Sequence, residues 1–208
     1  MGKQKYLGKI EELFQKSPVV SYDSIKRVIT EKKKGTQYTK QLIRNLIVKG
    51  KIKKLAKGCY TTHNENGISV FCFTPAYLGL QDALSFHNLW EQETIPIIIT
   101  SKRVRQGIRS ILNGNVLVRR IDKKYLFGFE YYAQGNNVYL PYSDIEKTLI
   151  DMVYFKEKID KEVIKNLIKK VQRKKMDKYL KQYPLRIRNR MLKILENKPC
   201  VQIRNENK

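Results

Sequence analysis

Apolar side chains recur at the spacing of amphipathic helices in three segments of the first fifty residues. The first helix is expected to end at Ser17-Pro18, and the second to begin after Ser21 as its N-cap residue. The third is expected to span about Thr36–Lys49. Gly35 and Gly50, which follow the last two segments, suit the left-handed position that ends a helix. The predicted inward faces are formed by Tyr6, Ile10, Leu13 and Phe14, by Ile25, Val28 and Ile29, and by Tyr38, Leu42, Ile43, Leu46 and Ile47.

The opposite face of the third predicted helix is polar and basic. Its side chains fall on one stripe and belong to types that hydrogen-bond base edges and phosphates. They are Gln37, Lys40, Gln41 and Arg44, with Thr36 at the cap and Val48 at the far end. The stripe is therefore a candidate for reading DNA in the major groove.

A β-hairpin is expected after Gly50, with strands over Lys51–Leu55 and Cys59–Thr62 around the turn Ala56-Lys57-Gly58. Three helices and a hairpin predict a winged helix-turn-helix DNA-binding domain over residues 1–65. In that architecture the hairpin contacts the DNA backbone, a role that falls to Lys53, Lys54 and Lys57. Two alternatives stay open, because a Lys-rich helix face is often only solvated and some winged helices dock proteins.

The remaining pattern mixes strands and helices. The pattern over residues 66–156 predicts an α+β domain with a helical face from Leu80 to His87, a turn at Gly135-Asn136-Asn137, and a helix capped by Ser143 that runs through Phe155. Its predicted strands are Ile68–Phe73, Ile95–Thr100, Val116–Ile121, Tyr125–Tyr132 and Val138–Leu140. Residues 157–208 predict a basic helical extension, packed on or continuing this domain, with helices at Lys161–Arg173 and Leu185–Leu195. The expected fold class is α+β.

Charge strengthens the nucleic-acid interpretation. The 208 residues contain 43 Lys and Arg against 19 Asp and Glu, a formal net charge of +24 that attracts polyanions. The longest apolar runs, Ile95–Thr100 and Leu149–Phe155, are far shorter than the roughly 20 residues of a membrane span. The first residues lack the apolar segment of a secretion signal, so we expect a cytoplasmic protein with no membrane partner.

The charge is also segmental. Residues 1–60 contain 16 Lys and Arg and 4 acids, residues 61–100 contain none and 4, residues 101–155 contain 9 and 5, and residues 156–208 contain 18 and 6. Residues 61–100 are therefore expected to form core or a protein-binding surface, since strongly apolar segments also exclude lysine.

The sequence gives little support for an enzyme activity. Asp144, Glu146 and Asp151 do not share one helical face, as a divalent-metal site would need, and two histidines are too few for a triad or a metal set. Phosphate-binding glycine motifs are lacking. Cys59, Cys72 and Cys200 are widely spaced and read as small buried apolar residues. We predict no enzyme activity, no cofactor and no metal.

Three motifs resemble the AbiEi family of antitoxins and transcriptional regulators from prokaryotic abortive-infection systems. They are Thr74-Pro75-Ala76-Tyr77-Leu78-Gly79-Leu80-Gln81-Asp82-Ala83-Leu84, Ile97-Ile98-Ile99-Thr100-Ser101-Lys102-Arg103 and Ser143-Asp144-Ile145-Glu146-Lys147-Thr148-Leu149-Ile150-Asp151. The resemblance covers residues 1 to about 156. It implies a winged helix joined to a family-specific domain, repression of the chain's own operon, and neutralisation of a nucleotidyltransferase toxin.

The expected function is thus a sequence-specific repressor that binds double-stranded operator DNA, with the antitoxin role implied by the resemblance. A homodimer on DNA is compatible with this function. The alternatives are a stand-alone regulator of the same family and an accessory protein of RNA or DNA processing. The stripe at Gln37, Gln41 and Arg44 favours duplex readout, because RNA readers usually present stacking aromatic side chains and this helix face has none.

Overall fold

The computed structural model describes residues 6–30, 36–135 and 138–196. The structure is mixed α+β, with a three-stranded and a six-stranded sheet in these ranges. The predicted α+β fold class is confirmed at that level.

The first region is built from three helices and a small antiparallel sheet. They are α1 (Leu7–Lys16), β1 (Val20–Ser21), α2 (Tyr22–Thr30), α3 (Thr36–Val48), β2 (Lys53–Ala56) and β3 (Cys59–Thr61), and the sheet order is β1-β3-β2. Ile10, Ile25, Ile29, Ile43 and Leu46 form much of its core, as the helical spacing predicts. Burial of these apolar side chains is the main force that holds the three helices together.

Local signals in the sequence set the ends of these helices. The Ser21 Oγ accepts a hydrogen bond from the Ser24 backbone N–H at 3.0 Å, which confirms the predicted cap of α2. The helix α1 ends before Ser17, as expected. The predicted stop of α2 at Gly35 lies outside the described residues.

The second region is a sheet covered on both faces. Its strands are β4 (Ala76–Leu78), β5 (Ile97–Thr100), β6 (Gly107–Ile111), β7 (Gly114–Arg120), β8 (Phe129–Ala133) and β9 (Tyr139–Ser143), in the order β6-β7-β5-β4-β9-β8. The pairs β4–β9 and β5–β7 are parallel and the others antiparallel. In β5, Ile97 and Ile99 belong to one buried cluster and Ile98 to the other, which explains why the strand is apolar throughout.

One predicted strand is wrong. Residues Ile68–Phe73 lie in a 3-10 helix, Asn66–Phe73, which packs against one face of the large sheet. Its buried side chains include Ile68, Val70 and Phe73. A short, continuous apolar run has no periodicity that separates a strand from a buried helical turn, so the pattern could not distinguish the two. Residues 61–100 contribute side chains to both buried clusters of this region, which agrees with the prediction that this lysine-free segment forms core.

Other boundaries also differ. Strands β4 and β6 were not predicted, and the expected strand Tyr125–Tyr132 begins only at Phe129, because Tyr125 lies in a short 3-10 helix. The turn residues Asn136 and Asn137 lie outside the described residues. The long helix α5 (Ile145–Tyr154) is capped by Asp144, whose Oδ1 accepts from the Lys147 N–H at 2.7 Å, and not by Ser143.

The basic tail forms three helices in the described ranges, α6 (Lys161–Lys170), α7 (Arg173–Leu180) and α8 (Leu185–Leu195). The predicted helix Lys161–Arg173 is wrong at its end, since the chain turns extended at Val171. Buried tail side chains share one core with α4 (Leu80–Phe86) and α5; they are Leu167, Met176, Leu180, Tyr183, Ile187 and Met191. The tail is thus an integral part of this core.

Candidate nucleic-acid interface

The polar stripe of α3 faces solvent. Thr36, Gln37, Lys40, Gln41 and Arg44 are all exposed. Val48, at the end of the stripe, is 80% exposed. The helix therefore presents a continuous outward face with hydrogen-bonding and cationic groups at its start and centre.

The end of α3 fixes the direction in which the hairpin leaves it. Gly50 adopts a φ of +68°. The Gly50 N–H donates to the Ile47 carbonyl at 2.9 Å, and the Lys51 N–H donates to the Leu46 carbonyl at 3.0 Å. These two bonds form a Schellman motif, which a glycine favours because a side chain strains this backbone conformation. The predicted stop at Gly50 is confirmed.

A side-chain pair on the stripe was missed by the sequence analysis. The Gln41 Nε2 donates a hydrogen bond to the Asn45 Oδ1 at 3.2 Å, and both residues are exposed. The bond leaves the Gln41 Oε1 as an acceptor and the Asn45 Nδ2 as a donor. The four-residue spacing on an exposed helix face was the signal that could have identified Asn45.

The hairpin brings one of its lysines to the face of α3. Lys54 of β2 lines a surface depression of about 290 Å³ together with Lys40 and Arg44 of α3. The other lining residues are Tyr22, Ile43, Ile47, Val48 and Tyr60. Lys57 is exposed at the Lys57-Gly58 turn and Lys53 is half-buried in β2, and neither lines the depression. Gln37 and Gln41 likewise lie on α3 outside it.

Most of the positive charge around α3 and the hairpin has no acidic partner among the described residues. Between Thr36 and Asn64 the chain has seven Lys and Arg and no acid. Lys51 is bound to Glu11 of α1 with its Nζ 3.1 Å from Oε1. In the described ranges, Lys40, Arg44 and Lys54 have no ion pair with a carboxylate. Unpaired cations grouped on one face create a positive potential that attracts an anionic polymer.

A second group of charged residues, centred on α5, is buried. Lys147 and Asp151 are fully buried and form an ion pair. The Tyr77 hydroxyl donates to the Asp151 Oδ2 at 2.6 Å. The Lys147 Nζ lies 5.2, 5.5 and 5.8 Å from the ring centroids of Tyr77, Phe127 and Tyr183. The ammonium group is thus surrounded by one carboxylate and three aromatic faces, which stabilise a cation.

Burial governs the ionisation of this pair. It lowers the pKa of Lys147 and raises the pKa of Asp151, because removal from water disfavours both charged forms. The mutual attraction of the two groups opposes both changes. Since neither side chain is accessible to solvent, we assign this pair a structural role.

The acidic residues of the α5 motif anchor the tail. The Asp144 Oδ2 accepts from the Tyr179 hydroxyl at 2.8 Å and lies 3.1 Å from the Lys175 Nζ. The Glu146 Oε1 accepts from the Gln172 backbone N–H at 2.7 Å. These contacts join α5 to α7 and to the residue before it. Asp144 and Glu146 are therefore engaged by partners in the tail, whereas Asp151 is paired with Lys147.

The interpretation of the cysteines as buried apolar residues needs correction. Cys59 of β3 and Cys72 of the 3-10 helix are free and half-buried, and Cys200 lies outside the described residues. The Cys72 thiol and the Lys102 ammonium lower the pKa of Cys59 to about 7, against the effect of burial. Cys59 is consequently more acidic than an ordinary buried thiol.

Comparisons with known proteins give a structural likeness and no match of family. No protein-family model matches the chain, and a search of curated proteins finds no match. No helix in the described ranges combines the length and apolar character needed to cross a membrane. The chain is similar to the crystal structure of the Rv2827c protein from Mycobacterium tuberculosis, with 14% sequence identity and a TM-score of 0.60 over 94% of this chain and 77% of that one. At this identity the likeness shows that the two proteins share a fold.

Proposed function

We propose that this protein is a sequence-specific DNA-binding repressor whose N-terminal winged helix, over residues 1–65, binds operator DNA. The order α1-β1-α2-α3-β2-β3 and the antiparallel sheet β1-β3-β2 support the winged helix. In this proposal α3 is the recognition helix and the β2–β3 hairpin is the wing.

One observation carries the proposal. Lys40 and Arg44 of α3 and Lys54 of β2 line the same exposed depression, and none of them has a carboxylate partner in the described ranges. A cationic helix beside a cationic hairpin matches a duplex, whose groove edges present phosphates on both sides of an inserted helix. A merely solvated helix face gives no reason for a second element to contribute a cation to the same depression.

Base readout is assigned to the amide side chains. The Gln41–Asn45 pair offers one free acceptor and one free donor on the outward face of α3. Adenine presents a donor and an acceptor in the major groove, so the pair is complementary to it. Thr36, Gln37, Lys40 and Arg44 complete the helix contacts, and Lys53, Lys54 and Lys57 hold the backbone at the wing. This function needs no metal, cofactor or catalytic residue.

We further propose that the chain is an antitoxin-type regulator resembling the AbiEi family. Residues 66–156 would form the family domain and residues 157–208 its basic helical extension, packed in the same core. A nucleotidyltransferase toxin is the second partner in this proposal, and a homodimer is the form that binds the operator. A gene for such a toxin beside this one, and a stable complex of the two products on gel filtration, would support it. Operator binding without such a partner would identify a stand-alone regulator.

Affinity selection tests the central function. Wild-type protein is incubated with a pool of random DNA duplexes, and the bound fraction is amplified and sequenced over several rounds. We expect one motif to be enriched, and Arg44→Ala to reduce its recovery. Enrichment of no sequence, or stronger retention of an RNA pool than of the duplex pool, would contradict the proposal.

A further inference from the structure

A second basic segment lies outside the region proposed to be the winged helix. From Ser101 to Ile121 the chain contains six Lys and Arg and no acid. They are Lys102, Arg103, Arg105, Arg109, Arg119 and Arg120. The segment comprises the loop 101–106, strands β6 and β7, and the turn between these strands.

Three of these cations have internal roles. The Lys102 Nζ donates to the Cys72 carbonyl at 3.2 Å. The Arg109 Nη2 donates to the Arg105 carbonyl at 2.5 Å, and its guanidinium lies 5.3 Å from the centroid of the Phe73 ring. Arg119 forms an ion pair with Glu157 at 2.9 Å. Lys102 and Arg109 therefore attach the loop to the 3-10 helix and to β6.

Backbone contacts hold the same loop at both ends. The Lys102 N–H donates to the Thr100 Oγ1 at 3.1 Å, and the Gln106 Oε1 accepts from the Arg120 N–H at 2.9 Å. Because the loop is fastened to β5 and to the end of β7, its exposed side chains are presented from an ordered support. An ordered support reduces the entropy that is lost on binding.

The other three cations have no such role. Arg103, Arg105 and Arg120 are exposed, and no carboxylate pairs with their side chains in the described part of the chain. Guanidinium groups of like charge repel one another when no anion lies between them. Their grouping on one fastened loop and the adjoining strand end therefore favours a ligand that brings its own negative charge.

This loop lies beside the β2–β3 hairpin. Val104 and Cys59 of β3 pack against the same buried cluster, which contains Leu55 of β2. The positive charge of Lys102 lowers the pKa of the Cys59 thiol, and Cys59 lies two residues beyond Lys57. The loop and the hairpin therefore pack against one core, and each of them presents cations to solvent.

We propose that Arg103, Arg105 and Arg120 form a second phosphate-contacting site, which binds the backbone of the same DNA duplex beyond the winged helix. This inference rests on the proposed function and extends its binding surface. An acidic protein is a weaker fit, because among the described residues the exposed large apolar side chain next to this loop is Ile108 of β6 alone, whereas a protein interface usually centres on several such side chains.

Charge neutralisation in matched pairs tests the site. Arg103→Ala/Arg105→Ala is compared with Lys165→Ala/Lys169→Ala on α6, which removes the same charge from exposed positions elsewhere. Binding to a long duplex that carries the selected motif is measured over a range of salt concentrations, and the protected region is mapped by hydroxyl-radical footprinting. Thermal unfolding checks that both variants are folded.

We expect the plot of log affinity against log salt to flatten by about two units for the loop variant and to keep its slope for the α6 variant. The footprint should shorten at one edge, and the ratio of specific to nonspecific binding should stay unchanged. Equal slopes for the two variants, or a loop variant impaired only in binding RNA, would overturn the inference. If wild type bound no duplex selectively, the proposed function itself would fail, which distinguishes the two failures.

Discussion

Charged side chains are grouped both on the surface of α3 and in the interior around α5, but the first group is exposed and the second is buried and paired. Lys40, Arg44 and Lys54 line one exposed depression and have no acidic partner among the described residues, whereas Lys147 is fully buried against Asp151 and three aromatic rings. Charge that is paired and enclosed stabilises the fold. Charge that is grouped, exposed and unpaired remains available to a ligand. Burial and pairing, and not the number of lysines, therefore separate the structural group from the functional candidate.

The largest effect is expected from breaking the buried pair. Lys147→Met leaves the Asp151 carboxylate buried without its cation and should lower the free energy of unfolding by about 3–5 kcal/mol. Lys165→Ala, an exposed lysine on α6, is the control and should change stability little. Chemical denaturation measures both. The double variant Lys147→Met/Asp151→Leu should regain only part of the loss, because the Tyr77 hydroxyl then lacks its acceptor. Equal stability of Lys147→Met and Lys165→Ala would contradict the structural role.

The buried carboxyl group of Asp82 should make the stability of the fold depend on pH. Burial raises the pKa of Asp82 to about 7, although the Ile97 N–H donates to it at 3.0 Å. The unfolded chain loses this proton near its ordinary pKa and the folded chain only near 7. Wild type should therefore lose stability as the pH rises between these values, by about 4 kcal/mol.

Asp82→Asn keeps an oxygen acceptor for Ile97 and cannot ionise. The difference in unfolding free energy between wild type and this variant should consequently change in favour of the variant as the pH rises to about 7, and stay constant above it. Denaturation curves recorded across this pH range measure the difference. A difference that did not change with pH would mean that Asp82 ionises normally in the folded protein.

A smaller effect is expected at the cap of α5. Asp144→Ala removes the acceptor for the Lys147 N–H and the partner of Lys175 and Tyr179, and should cost about 1–2 kcal/mol. Asp144→Asn keeps the capping oxygen and should recover part of this loss. Thermal unfolding distinguishes the three proteins. If Asp144→Ala unfolded at the wild-type temperature, capping by Asp144 would contribute nothing to stability.

The sequence predicts the fold best where local signals agree. Periodic apolar positions, the Ser21 cap and the Gly50 stop together define α1, α2 and α3. Prediction fails where tertiary packing decides. The apolar run Ile68–Phe73 became a 3-10 helix, and the amphipathic pattern at Lys161–Arg173 is interrupted where the Gln172 N–H binds Glu146. The burial of Lys147 was not predictable, because a lysine reads as a surface residue.

The candidate interface shows the same division. Exposure of the α3 stripe follows from helical periodicity alone, so Gln37, Lys40, Gln41 and Arg44 could be selected from the sequence. The approach of Lys54 to this face depends on the path of the hairpin and needed the structure. The cations of loop 101–106 could not be recognised from the charge count, because the count over residues 101–155 also includes five acids, all of which follow Ile121.

The central claim is that α3 reads bases while the hairpin holds phosphates, and a paired measurement tests it directly. Affinities of wild type, Gln41→Ala and Lys57→Ala are determined for the selected motif and for an unrelated duplex across a salt series. Gln41→Ala should cost about 1–3 kcal/mol at the selected motif and little elsewhere. Lys57→Ala should weaken both duplexes alike and flatten the salt dependence by about one unit. Identical behaviour of the two variants would contradict the account.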